Sequence, residues 1–195
     1  MLITIEQRLE LYNRKKISRH LPQAGVLIAI TDELEPHVIL TKRARGLSSH
    51  GGEVALPGGK RDDSDPSVVF TALREAHEEI NLLPEQVKVL GKIDDQISLH
   101  SIKVTPSVGV IADNIEFTAN QGELDCVFKV PLSFLLEPAN QCGHLAKYRY
   151  QSKFAPCYLY EGHLIWGLTS YILSEFLNVT LDANIELKSR EELIV

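Results

Sequence analysis

A chain of 195 residues, with 44% hydrophobic and 24% charged residues, has the composition of a folded globular protein and can bury a core without cross-links or structural zinc. Its net charge of −6 argues against the basic face that binding of a nucleic-acid backbone requires, but not against a phosphate substrate whose charge a bound metal ion offsets. Cys126, Cys142 and Cys157 form no C-x-x-C pair and read as free thiols of a reducing cytosol. With no signal-peptide pattern and no apolar run of membrane length, the expectation is a cytoplasmic protein without a membrane partner.

In chain order, residues 4–18 are predicted as an amphipathic helix, with Ile5, Leu9 and Tyr12 at helical spacing, ended before Pro22. AGVLIAI (24–30) and HVILTKR (37–43) read as strands joined by a charged turn. A Gly/Ser-rich loop spans 45–59. A helix is predicted over 66–80, with Asp65 as N-cap and Pro66 in the first helical position. Strands follow at 87–93 and 104–111, then a strand running into a short helix at 126–136. A hairpin is predicted near 148–162, and the apolar segment 165–179 is predicted as a helix. Strands and helices alternate without a clean β-α-β rhythm, so the fold class is α/β with a mixed sheet flanked by helices.

The chemistry concentrates on the 66–80 helix. Val69, Leu73, Ala76 and Ile80 make an apolar stripe, which predicts Glu75, Glu78 and Glu79 together on the opposite face. A charge run is most often a solvated face. Here it follows the turn LPGGK (56–60), whose glycines admit close approach of a ligand, and clustered oxygen donors on a rigid element suit Mg²⁺. The Gly-Gly-Lys at 58–60 is no Walker loop, because Val54 and Arg61 stand where Gly and Ser or Thr are needed. His50 and His77 read as surface residues, and Trp166 as a core residue.

From Gly59 through Asp65 to Arg74-Glu75-Ala76-His77-Glu78-Glu79-Ile80-Asn81-Leu82, the sequence resembles the Nudix box, G-x5-E-x7-R-E-U-x-E-E-x-G-U. Asp65 replaces the box Glu, one extra residue precedes Arg74, and Asn81 replaces the box glycine. The first two departures match the coenzyme A pyrophosphatase-like subgroup, which GGKRDDSD and ALREA also resemble. The third suits a helix ending in a left-handed residue. Upstream, ILTKRARGLSSHGGEVALPGG (39–59) is similar to that subgroup's motif, with Arg43 and Gly52 retained, Ser48 in place of an arginine and Leu56 in place of a phenylalanine. The segments VTPSVG (104–109) and YEGHLIWGLTS (160–170) are similar as well.

The resemblance implies a Nudix-type α/β/α sandwich with a mixed β-sheet. It implies one domain over 1–195, with residues 1–22 a helical extension and the box at about 59–82. Glu75, Glu78, Glu79 and the Gly59 carbonyl would hold Mg²⁺ or Mn²⁺, and Arg74 would orient the glutamates. Glu78 or Glu79, or Glu123 from outside the box, would act as general base. Arg43, Arg45 and Gly52 would contact substrate. The implied reaction cleaves the pyrophosphate of a nucleoside diphosphate derivative, with coenzyme A or acyl-CoA leading. ADP-ribose, NADH or dinucleotides are alternative substrates, and a silent nucleotide-binding module is an alternative function. The partner is thus a small molecule rather than nucleic acid, with a homodimer open as the assembly.

Overall fold

The computed structural model describes residues 1–46, 51–148 and 151–187. The central sheet is built on β1 (Gln23–Asp32) and β7 (Lys103–Ala112), paired in parallel from Gln23↔Lys103 to Asp32↔Ala112. All its other pairings are antiparallel. The strand order is β3–β2–β1–β7–β5, where β2 is His37–Arg43, β3 Val54–Ala55 and β5 Lys88–Lys92. Three further strands attach to this path: β4 (Gly58–Lys60) on β1, β6 (Gln96–Ile97) on β7 and β8 (Leu124–Pro131) on β2. A second sheet has the order β11–β10–β9, with β9 at Gln141–Tyr148, β10 at Gln151–Tyr160 and β11 at His163–Ile165.

Both faces of the central sheet are covered, which is why β1 reads as an unbroken apolar run. Leu27 and Ala29 of β1, with Ile39 of β2, pack on Ala72, Ala76 and Ile80 of α2 (Val68–Ile80). The alternate residues Ile28, Ile30, Val38 and Leu40 pack in a second core. That core includes Ile5 and Leu9 of α1 (Leu2–Leu11) and Ile172, Leu173, Phe176 and Leu177 of α4 (Gly167–Leu181). Each such isoleucine or leucine contributes roughly 1.5–3 kcal/mol by leaving water. The result is the predicted α/β/α layering around a mixed sheet, completed by α3 (Leu132–Leu136) directly after β8. Among the described residues no helix is long and apolar enough to cross a membrane.

Several boundaries move for identifiable reasons. The first helix stops at Leu11, because Tyr12 turns extended and the next residues are held elsewhere: the Lys15 and Ile17 amides donate to the carboxylates of Asp94 and Asp95. Helix α2 begins two residues later than predicted, with Ser67 as the cap accepting from the Phe70 amide at 3.2 Å. Asp65 is no cap, because Arg74 and Thr71 engage its carboxylate. The expected loop at 45–59 contains the two short strands β3 and β4. Trp166 is not a core residue: it is the N-cap of α4 and 36% exposed. The thiol expectation is also corrected. Cys142 and Cys157 face each other in the β9–β10 ladder, with Cα atoms 4.9 Å apart, and form a disulfide; Cys126 stays free.

Candidate active site

Helix α2 lies close against the backbone of β1 and β4, and glycines make this possible. A Cβ at Gly25 would collide with the Val68 carbonyl, and one at Gly59 would fall on the Glu75 carboxylate. In register, Gly59 of β4 pairs Gly25 of β1. The helix surface bearing Glu75 and Glu79 is therefore pressed onto main chain rather than turned to solvent.

That placement corrects the predicted geometry. The buried stripe of α2 is Thr71, Ala72, Ala76, Glu79 and Ile80, so Glu79 is 4% exposed instead of sharing a solvated face with Glu78. One oxygen of Glu79 accepts from the Gly58 amide at 3.1 Å. Burial pushes the Glu79 carboxyl up to about 7; the Gly58 amide and Arg43 pull it down, while Glu75 and Glu123 push it further up. Burial likewise raises Glu75, against the pull of Arg74.

Arg74 organises the outer half of the cluster. Its Nε and Nη2 grip the two oxygens of Asp65 at 3.1 Å each, a fork matched to a carboxylate. Nη2 also lies 3.0 Å from Glu75 Oε1, and Nη1 donates to Glu78 Oε2 at 3.1 Å. Asp65 is buried, and the hydrogen bonds from Arg74 bring its carboxyl down to about 2. Asp65 is thus fixed as an anion and fixes Arg74 in turn. Its role was written in the sequence only as the acid standing in for the first box glutamate.

Glu123 enters from outside the helix. The Asn120 amide donates to the Glu79 carbonyl and the Thr118 amide to that of Ile80, which ties segment 118–123 to the last turn of α2. Glu123 is exposed, and its charge acts on both Glu75 and Glu79. Its own carbonyl accepts from the Ala44 amide, one residue beyond Arg43. Arg43 faces Glu79 electrostatically, and its Nε is buried without a hydrogen-bond partner. Gly52 adopts φ +79° and donates its amide to the Arg43 carbonyl at 2.9 Å, which closes the base of the loop that Arg43 opens. Arg45 is exposed, as is His77. Ser48 and His50 lie outside the described residues.

Among the described residues no three His, Cys, Asp or Glu side chains stand together in a ready-made metal cage. Glu78 turns outward to Arg74 and Glu79 inward to Gly58, with Glu75 between them on Gly59. The donor set is nonetheless all oxygen, as a hard cation prefers, and it includes a buried carboxyl whose ionisation an added positive charge would favour.

An acidic helix laid on a glycine turn inside an α/β/α sandwich defines this as a Nudix domain, and residues 21–146 match the family model described as the NUDIX domain. The chain belongs to the Nudix family and is a Nudix hydrolase, a class that generally requires divalent metal ions. It is 38% identical over 161 residues to a protein of Photorhabdus laumondii described as an uncharacterized Nudix hydrolase NudL, spanning 83% of this chain and 86% of that one. A NudL protein of Escherichia coli O7:K1 is 36% identical over 170 residues, covering 84% of each. A MutT/nudix family protein from Enterococcus faecalis shares the fold with a TM-score of 0.53 and 15% identity, over 93% of this chain and 68% of that one.

Proposed function

We propose that the chain is a coenzyme A pyrophosphatase, cleaving coenzyme A or acyl-CoA to 4′-phosphopantetheine and adenosine 3′,5′-bisphosphate. The observation carrying this reading is Arg43, whose buried and unpartnered Nε sits beside the glutamate cluster on the strand of the upstream motif. A guanidinium with one nitrogen left without an acceptor beside the glutamate cluster is suited to take a phosphate oxygen. Leu56 supports the same reading. It is buried in the core on the α4 side of the sheet, so the exchange of phenylalanine for leucine there alters packing rather than substrate contacts.

Glu75, Glu78 and Glu79, with the Gly59 carbonyl, would hold Mg²⁺ or Mn²⁺, and Arg74, anchored on Asp65, keeps Glu75 and Glu78 oriented. A bound ion supplies neutralisation of charge on the pyrophosphate oxygens and lowers the pKa of a nearby water. Glu79, with one oxygen on the Gly58 amide, would meet the attacking water as an ionised carboxylate once a bound cation favours that form, and so could take its proton. Glu123 is a second candidate base, because its charge already reaches both Glu75 and Glu79. Gly52 closes the base of the loop that Arg43 opens, and Arg45, exposed near the start of that loop, would be free to meet a substrate phosphate. We further read 1–195 as one domain, because α1 of the 1–22 extension shares the core of α4.

The test is a side-by-side hydrolysis of coenzyme A, ADP-ribose, NADH and diadenosine polyphosphates with Mg²⁺ or Mn²⁺. A kcat/KM highest on coenzyme A, with 4′-phosphopantetheine among the products, is the expected result. A higher value on ADP-ribose or a dinucleotide would sink the coenzyme A assignment and leave Ser48, where the subgroup has arginine, as the mark of changed specificity.

A further inference from the structure

The disulfide lies outside the site, but a chain of bonds leads from it to Arg43. Cys157 follows Pro156, whose carbonyl accepts from Ser170 Oγ at 2.7 Å. On its other side the hydroxyl of Tyr158 meets Ser174 Oγ at 3.0 Å. Residues 156–158 of β10 are therefore seated on α4, and the bridge to Cys142 ties the outer strand β9 to that seat. From the same first turn of α4, Thr169 Oγ1 donates to the Val54 carbonyl at 3.0 Å. One residue earlier, the Glu53 carbonyl accepts from the Arg43 amide at 3.0 Å, and the Gly52 amide returns a bond to the Arg43 carbonyl. Every link is a hydrogen bond or a covalent bond.

We infer that the Cys142–Cys157 bridge is a redox-sensitive clasp that steadies β3 and, through it, the Arg43 rim of the active site. The consequence for Arg43 rests on the substrate role given to it above; the clasp itself does not. Opening takes two electrons from a small dithiol. Its thiolate attacks the sulfur of Cys142, which is the more exposed of the pair, and Cys157 leaves as a thiolate that takes up a proton. The second thiol of the reductant then displaces Cys142, giving two protein thiols and one cyclic small-molecule disulfide. Closing runs the exchange backwards, with a low-molecular-weight disulfide such as oxidised glutathione accepting the two electrons. Cys126, on β8 opposite Lys42, takes no part and serves as the internal count.

The experiment treats the full chain with oxidised glutathione or with dithiothreitol and reads it in three ways. Alkylation under denaturing conditions should label one cysteine in the oxidised protein and three in the reduced one, matching three cysteines with two bridged. Hydrogen–deuterium exchange should rise severalfold over 52–56 on reduction. In Cys142→Ala the exchange should be fast under both conditions, with an unchanged circular dichroism spectrum showing that the variant folds. On any pyrophosphate the enzyme turns over, reduction should raise KM while kcat holds. Three labelled cysteines after both treatments would overturn the bridge. A count moving from one to three with exchange at 52–56 unmoved would overturn the coupling to β3. If no substrate is turned over, the functional reading fails while labelling and exchange still decide the clasp.

Discussion

Among the described residues, two clusters of buried and half-buried acids differ in who satisfies them. In the first, Glu79 lies beside Glu75 under the glycine turn, with the Gly58 amide on one oxygen and the partnerless Nε of Arg43 nearby. In the second, Asp94 and Asp95 on the turn before β6 meet Glu175 of α4. Asp94 accepts from the Tyr12 hydroxyl and the Lys15 amide at 2.7 Å each. Asp95 accepts from Arg14, Thr105 and the Ile17 amide, and Glu175 accepts from Gln96. Burial pushes Glu175 up to about 7, with Asp94 adding to the effect, just as burial and then Glu75 act on Glu79. Perturbed titration alone would therefore nominate both places. The wiring separates them: the second cluster is closed by the protein's own donors and fastens the N-terminal segment, whereas the first leaves the buried Nε of Arg43 without a hydrogen-bond partner beside Glu79.

The largest expected difference is catalytic. Glu79→Gln should lower kcat by about 10³-fold or more, in the range seen when an acid–base or metal-polarising group is removed. Glu175→Gln, half-buried but shifted to about the same value, should leave kcat within about twofold, since it touches only the structural cluster. Steady-state rates under saturating Mg²⁺ decide it. Comparable losses in the two variants would mean that burial, not position in the box, governs activity, and the contrast would fall.

The second effect is on stability against pH. A carboxyl whose folded pKa is raised favours the folded state most when protonated, so its contribution is full below about pH 4.5 and is lost as pH rises towards 7. For Glu79 and Glu175 this loss is roughly 3 kcal/mol each, as an order of magnitude. Asp65 acts in the opposite direction: its contribution is full above about pH 4 and disappears as pH falls through about 2. Denaturation midpoints measured across this range should fall towards neutrality in the wild type. Saturating Mg²⁺ should remove the share due to Glu79, because a cation favours its ionised form, and leave that of Glu175. In Glu175→Gln with Mg²⁺ the curve should be nearly flat between about pH 5 and 7. Slopes that ignore Mg²⁺ in both proteins would show that Glu79 is no ligand.

The same contrast explains what the sequence disclosed. Helix α2, β2 at its full extent and the left-handed end at Asn81 were legible because each is set locally, by periodicity, β-branched runs and cap chemistry. The Nudix box and its glutamates were legible for the same reason. The depth of Glu79 was not, because it depends on Gly25 and Gly59 arriving beneath the helix from other strands. The end of α1 was lost to acids some eighty residues downstream, whose hydrogen bonds outbid local propensity. The disulfide was not legible because it depends on the β9–β10 register, which sets Cys142 opposite Cys157. The free-thiol expectation came from compartment arguments, which carry no geometry.

The smallest effect separates the two long helices. Asn81 ends α2 at φ 57°, ψ 33°, its amide donating to the Ala76 and His77 carbonyls; Asp182 ends α4 at φ 51°, ψ 40°. Alanine in either place meets the left-handed penalty and should cost about 1 kcal/mol, a fall of roughly 2–4 °C in Tm. The ion pair of Asp182 with Arg8 is exposed on both sides and adds little. Activity should tell the two apart. The last turn of α2 carries Glu78 and Glu79, so Asn81→Ala should reduce kcat by about threefold to tenfold through loosened placement, and Asp182→Ala should leave it unchanged. Equal Tm losses with kcat untouched in both would mean that the catalytic turn is held by the Thr118 and Asn120 amides on Ile80 and Glu79 rather than by its own cap. That outcome would move the support of the site from the helix to segment 118–123, the one that also brings Glu123 to it.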